Sequence, residues 1–256
     1  MRSWKLLCFT ACFVVTATNI EALGCPIRIT DGDFVSTDWS QTVVVNFNSS
    51  APNLSTSSSS VPTLGGNPGA FKSIVNNVAA ITASGDNRVW NLQLCTSRVY
   101  DPAMLGAILT IDYSEDSRSL SSTQRSGLLL EQNGRLFVAN FNRSLIVSSP
   151  VWATQTAIGL VSSDFSQICP SSNCGTMNGS FIELDNQVQP DFSASAPVIR
   201  FGFYRFNSTF ATGYSTQCGI DNWSVSINKC EADFNCDGVV DFFDYLDFVQ
   251  AFSNGC

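Results

Sequence analysis

The chain has no histidine among its 256 residues. That absence removes Ser-His-Asp triads, Cys-His dyads, His-ligated zinc or haem, and any imidazole general base. Charge is scarce too. Asp, Glu, Lys and Arg make up 13% of the residues, about half the roughly 25% of ordinary globular chains. The basic sign is the scarcer, 13 residues against 21 acidic, for a formal net charge of -8. Such a chain offers little to a phosphate backbone, which excludes nucleic acid as a partner. No Cys-x-x-Cys pair occurs, so a zinc site lacks its usual ligands. Past the N-terminal segment, no run is long and apolar enough to form a transmembrane segment.

What is present begins with an apolar leader. Arg2 and Lys5 precede an apolar stretch from Leu6 to Val15, too short to span a bilayer and suited to a secretory signal over residues 1–24. Ala22-Leu23-Gly24 supplies the small residues before a cleavage point, with Cys25 next. This predicts a secreted, extracellular protein. A rival reading makes the same four residues a lipobox with Cys25 lipidated, although Ala stands at its first position where Leu is usual. Eight cysteines then remain: Cys25, Cys95, Cys169, Cys174, Cys218, Cys230, Cys236 and Cys256. An even number in an exported chain suggests disulfides. Local spacing pairs Cys169 with Cys174 and Cys230 with Cys256. Asn-x-Ser/Thr sequons occur at Asn48, Asn53, Asn142, Asn178, Asn207 and Asn222, and carry glycans only where the host glycosylates them.

Hydrophobic residues are 44% of the chain, enough for a real core. Residues 25–228 carry short β-rich runs between turn signals and no capped helical period. Thr42–Phe47, Val89–Leu94, Ile108–Asp112, Val198–Phe206 and Trp223–Ile227 are such runs. Leu128–Gln132 and Arg135–Ala139 flank Asn133-Gly134, the strongest short-range hairpin signal. The Ser-, Pro- and Gly-rich segment from Ser49 to Gly69 reads as a long exposed loop. The pattern predicts an all-β fold, an antiparallel β-sandwich or jelly roll. Its opening, Asp31-Gly32-Asp33-Phe34 with Asp38-Trp39, and its closing, Gly219-Ile220-Asp221-Asn222-Trp223-Ser224-Val225, resemble the first and last strands of bacterial carbohydrate-binding and laminin-G-like jelly rolls. The resemblance implies that these ends lie together, and that Asp33 and Asp221 help to bind a structural calcium. The alternative is that the acidic residues belong to a turn and a strand end.

The tail, residues 229–256, carries the most specific motif. Asp233, Asn235, Asp237, Val239, Asp241 and Asp244 stand at positions 1, 3, 5, 7, 9 and 12 of a calcium loop, with Gly238 at the bend. Val239 offers its backbone carbonyl and the others side-chain oxygens, Asp241 directly or through water. Four carboxylates in one short loop repel unless a cation (Ca2+) sits among them. Phe242, Tyr245, Val249 and Phe252 then recur on one face of a helix from about Phe242 to Phe252. Asp at the last position resembles the dockerin repeat, and this implies attachment to a cohesin-like or surface protein. The chain has one repeat where dockerins have two, and Phe242-Phe243 replaces the small polar pair, so a purely structural cap is an equal reading.

An enzyme would need paired carboxylates. Asp112 and Glu115 read as a solvated strand end, and Glu183 and Asp185 as an exposed sheet face. Trp90, Trp152, Tyr100, Tyr113, Tyr204 and Tyr214 are candidate platforms for stacking a sugar ring, while Trp39 and Trp223 read as core. The sequence therefore reads as a secreted non-catalytic module that recognises glycan or cell-surface polymer. The alternative is a polysaccharide hydrolase or lyase with an unrecognised carboxylate site. Calorimetric titration of calcium into the oxidised 229–256 peptide should show one site, with helix gained in circular dichroism. Asp237→Ala should abolish both. No heat at millimolar calcium, the weak end for extracellular modules, would remove the site.

Overall fold

The computed structural model describes residues 26–47, 54–81, 86–168, 184–229 and 242–253. The leader with Cys25, Cys169, Cys174, Glu183, Cys230, Cys236, Cys256 and the loop residues Asp233, Asn235, Asp237, Val239 and Asp241 lie outside them. The strands in chain order are β1 (Ile27–Asp31), β2 (Trp39–Phe47), β3 (Thr56–Ser60), β4 (Lys72–Val78), β5 (Asn87–Cys95), β6 (Ile108–Ser119), β7 (Gln124–Gln132), β8 (Arg135–Ala139), β9 (Leu145–Val147), β10 (Ala153–Leu160), β11 (Phe165–Ile168), β12 (Leu184–Asp185), β13 (Ile199–Thr209) and β14 (Tyr214–Lys229). A short helix α1 (Pro102–Leu105) and a tail helix α2 (Phe242–Ser253) complete the elements used below. No helix among the described residues is long and apolar enough to cross a membrane.

Among the described residues, six strands form one sheet in the order β10-β6-β14-β4-β3, with β1 also on β14. Eight form the other, β12-β11-β8-β7-β13-β5-β2, with β9 also on β7. The strand pairings are antiparallel, and the fold is the expected all-β sandwich. The two ends do meet: β1 pairs with β14 from Ile27↔Ile227 to Asp31↔Trp223. The Asn133-Gly134 hairpin forms, with both residues at positive φ, 53° and 73°. That is the turn whose twist matches its strands.

The chain changes sheets at Asp31. Its Oδ1 accepts the amides of Asp33 and Phe34, both at 2.9 Å, and its Oδ2 accepts Trp39 Nε1 at 2.6 Å. Trp39 then seats in the aromatic end of the interior, 5.0 Å from Trp223 and 5.5 Å from Phe203 between ring centres. Both tryptophans are buried, as expected of core. Lys72 Nζ lies 5.2 Å above the Trp39 ring. Burial pushes this ammonium down to about 8, against the opposing pull of the Asp31 carboxylate and Cys95.

The other end of the interior is polar. Along β13 the buried side chains run Phe201, Phe203, Arg205, Asn207. Along β7 they run Leu130, Leu128, Ser126, Gln124. Hydrogen bonds bridge the sheets there. Asn76 Nδ2 donates to Asn207 Oδ1 at 2.9 Å, and Gln124 Nε2 to Thr216 Oγ1 at 2.8 Å. At the boundary Arg205 Nη1 meets Glu115 Oε1 at 3.0 Å, both side chains fully buried. Tyr113 and Ser126 donate to Glu115 Oε2 at 2.5 and 2.8 Å.

Two expectations are corrected here. Glu115 is not a solvated strand end, because the alternation of β6 aims it between the sheets, where Arg205 neutralises it. Asp112 is partly buried and accepts Gly159 N and Asn228 Nδ2. The segment read as a loop contains β3, whose alternate serines find polar partners: Ser57 Oγ donates to Asn76 Oδ1 at 2.6 Å and accepts from Asn91 Nδ2 at 2.7 Å. Cys95 and Cys218, whose pairing the sequence left open, are buried and free among the described residues. Burial pushes the Cys218 thiol up to about 11. Helix α2 falls where the pattern put it, with Asp244 buried in its first turn and Phe242, Tyr245 and Val249 exposed.

Arg205→Ala should lower the free energy of unfolding by about 3–5 kcal/mol in urea titration, since it strands a buried charge. Replacing both partners, Arg205→Met with Glu115→Gln, should cost clearly less. Lys72 carries the opposite sign. Its folded-state value lies below the unfolded value of 10.5. The unfolded chain therefore holds more protons between about 8 and 10.5, and stability rises with pH across that window. Lys72→Met should stabilise by about 1–3 kcal/mol at pH 7, a gain that shrinks by pH 10.

Candidate functional site

The outer face of the eight-stranded sheet carries a second apolar cluster, separate from the inter-sheet core. Strand alternation builds it. On β5, Cys95 faces the core while Trp90 and Leu92 face out. On β13, Phe201 and Phe203 face the core while Tyr204 and Phe206 face out. Leu129, Val138 and Ile168 from β7, β8 and β11 complete the cluster.

The rings are held in place from several sides. Trp90 and Phe206 are register partners across β5 and β13, with ring centres 4.3 Å apart. Tyr204 lies over Gly127 of β7, where an added Cβ would come within 2.7 Å of the ring. Glycine is required there by that close approach. The Tyr204 hydroxyl donates to Ala139 O at 3.0 Å, and burial raises its pKa. After β8 a single turn, Phe141–Arg143, places Phe141 above the sheet. Its ring stacks on Trp90 at 6.1 Å and 23°, yet it is 42% exposed. Backbone bonds from Asn140 N to Asp164 O and from Arg143 N to Asn140 O pin the turn.

These residues enclose an open cleft of about 480 Å³. Trp90, Phe141, Ile168 and Leu184 are its apolar walls, and Arg88, Asn140, Asn142, Ser166 and Asn186 its polar ones. Asn140 Oδ1 is buried and accepts no hydrogen bond from the described residues. A smaller hollow of about 270 Å³ adjoins it, sharing Arg88 and Phe141 and adding Asp86, Arg125, Phe206, Ser208 and Phe210. Arg88 Nε meets Asp86 Oδ2 at 2.5 Å. Aromatic faces beside amides, a hydroxyl and a guanidinium can stack on an apolar ring face while hydrogen-bonding its polar rim.

Of the candidate platforms, Trp90 lines the cleft and Tyr204 supports its floor. Tyr100 and Tyr113 are buried in the core. Trp152 stands elsewhere, 4.9 Å from the Arg118 guanidinium and 5.5 Å from Phe71. Tyr214 is exposed, and its hydroxyl donates to Ser208 O at 2.8 Å. Asp185 does not lie on an exposed face: it is buried and accepts the amide of Gln187 at 2.8 Å. Sequence reasoning missed Phe141, Arg125 and the amides around them. The one available signal was a phenylalanine flanked by two asparagines directly after a strong hairpin.

The acidic ends are organised by internal donors. Asp33 is exposed, and its amide donates to Asp31. Asp221 is buried and accepts the amides of Asn67 and Asn222. Its burial raises its pKa, and the Asp116 and Asp33 carboxylates add to the rise. Asp116 Oδ2 accepts Asn67 Nδ2 at 3.1 Å and Asn222 Nδ2 at 2.7 Å. Among the described residues no group of three or more Asp, Glu or Cys side chains is placed to hold a metal ion. Of the six tail residues that the spacing predicts as calcium ligands, Asp244 alone lies within the described residues.

No protein-family model matches the chain, and no curated protein matches it. Among solved structures it is similar to a family 11 carbohydrate-binding module from Clostridium thermocellum in complex with a β-1,3-1,4-mixed-linked tetrasaccharide. The identity is 13% and the TM-score 0.43, over 81% of this chain and 99% of that one. It is also similar to the CBM22-1 xylan-binding domain from Paenibacillus barcinonensis Xyn10C, at 9% identity and TM-score 0.39, over 81% and 98%. A third is TmCBM61 in complex with β-1,4-galactotriose, at 7% identity and TM-score 0.26, over 77% and 86%.

Proposed function

We propose that this chain is a secreted, non-catalytic module that binds a glycan in the cleft on the outer face of the larger sheet. The carrying observation is the composition of that cleft: Trp90 and Phe141 rings beside Arg88, Asn140, Asn142, Ser166 and Asn186. Sugars present apolar C–H faces and hydroxyl rims, and such a wall answers both. A glycosidase would place two carboxylates about 5–9.5 Å apart across the sugar. Among the described residues that line the main cleft there is no Asp or Glu, and Asp86 in the adjoining hollow is tied to Arg88.

The tail has a separate role in this reading. Asp233, Asn235, Asp237, Val239, Asp241 and Asp244 hold one calcium, and the helix that follows attaches the module to a cohesin-like or surface protein. The exposure of Phe242, Tyr245 and Val249 on α2 supports an attachment role over a cap.

The test is a polysaccharide panel, read by affinity electrophoresis and calorimetry, with and without calcium. Trp90→Ala is a poor probe, because removing a buried ring costs about 3–5 kcal/mol of stability. Phe141 is exposed enough to remove. Phe141→Ala should keep the melting temperature within a few degrees and weaken glycan binding about tenfold or more. Retention of none of the polysaccharides by the folded chain would sink the reading.

A further inference from the structure

We propose that the cleft selects an acidic polysaccharide, with Arg125 receiving a carboxylate or sulfate group carried on the sugar. This rests on the glycan reading above and gives it a substrate class. Arg125 projects outward from β7 beside its register partner Phe206 and lines the smaller hollow. Its guanidinium carbon lies 5.3 Å from the centre of the Phe141 ring, and Nη1 donates to Ser144 Oγ at 2.9 Å. Neighbouring cations are spoken for: Arg88, which shares the hollow, meets Asp86, and Arg143, on the turn that carries Phe141, meets Asp164. Among the described residues Arg125 meets no carboxylate.

An arginine fixed in this way is already ordered. The stack on Phe141 and the bond to Ser144 set its plane before any ligand arrives. Its remaining N–H groups form the fork that fits a carboxylate or sulfate through two parallel bonds. It lines the smaller hollow against Phe141, the ring that both hollows share and that stacks on Trp90, so a sugar stacked in the cleft would carry its acidic substituent past that ring into the hollow. The chain as a whole is acidic, at -8, and repels a polyanion at long range. At physiological salt that field fades over roughly 8 Å. A direct contact with the guanidinium is not screened in that way, so the local term decides.

The experiment compares acid and ester forms of one backbone, using the full chain. Polygalacturonate and its fully methyl-esterified form are titrated calorimetrically. A sulfated galactan separates sulfate from carboxylate recognition, and a mixed-linkage β-glucan and a xylan serve as neutral chains. The free acid should bind about tenfold tighter than its ester. Arg125→Gln should erase that ratio, weakening the acid far more than the ester, and Arg125→Lys should keep part of it. Thermal melting of each variant confirms that it is folded. Equal affinity for acid and ester, or an undiminished ratio in Arg125→Gln, overturns the inference. Tight binding of the neutral chains with rejection of every acidic one also overturns it, but leaves the glycan reading standing. Failure of every polysaccharide to bind overturns both.

Discussion

The ion pair between Glu115 and Arg205 is the constraint on which the arrangement of both faces depends. It crosses from one sheet to the other with both charges fully buried. Taking a charge out of water costs several kcal/mol even after relaxation, and attraction offsets that only when hydrogen bonds complete the set. Tyr113 and Ser126 supply them to the carboxylate. On the arginine side, Nε and Nη2 have no hydrogen-bond partner among the described residues, although the guanidinium sits 5.4 Å from the Phe203 ring. The pair therefore adds little net stability and acts mainly on register. A one-residue slip of β13 would bring Tyr204 and Phe206 inside and strand Arg205 on the surface. With Arg205 held inward, its neighbours on either side must face outward. Those neighbours are the rings of the cleft floor.

At the other end of the sandwich, Asp31 performs a comparable task with a single carboxylate. It gathers two turn amides and an indole N–H. The chain is thereby carried from the smaller sheet to the larger, and Trp39 is set among Phe34, Phe203 and Trp223. The molecule is pinned at an aromatic end and at a polar end, and the cleft lies on the sheet that both pins orient. Phe141 is fixed independently, by loop backbone bonds to Asp164 and Asn140.

What could be read from the sequence was local. Alternation in Val89–Leu94, the Asn133-Gly134 turn and the period of the tail helix are signals contained within a few residues, and each element formed where its signal lay. The proposed calcium loop is a reading of the same local kind, since it rests on spacing alone. Distant pairing was not legible. Nothing near Thr56–Ser60 favours a strand, because its serines draw on Asn76 and Asn91. Glu115 looks solvent-bound until Arg205 is known to lie opposite it. Alternation shows that Trp90 and Asn91 face opposite ways but not which way is out. Both proved buried, one under Phe141 and the other in the polar interior. Phe141 is a loop residue whose role depends entirely on the sheet beneath it.

The half-polar interior has a thermal consequence. Exposing apolar surface on unfolding raises the heat capacity, whereas exposing polar surface lowers it. Here Asn76, Asn91, Gln93, Gln124, Asn207 and Thr216 occupy interior positions that most sandwiches fill with aliphatic side chains. Unfolding this body therefore releases a smaller heat-capacity increment than its size alone would give. The curve of stability against temperature becomes shallower, so the sandwich keeps its modest margin over a wider range of cold and warmth than a fully aliphatic one of the same length.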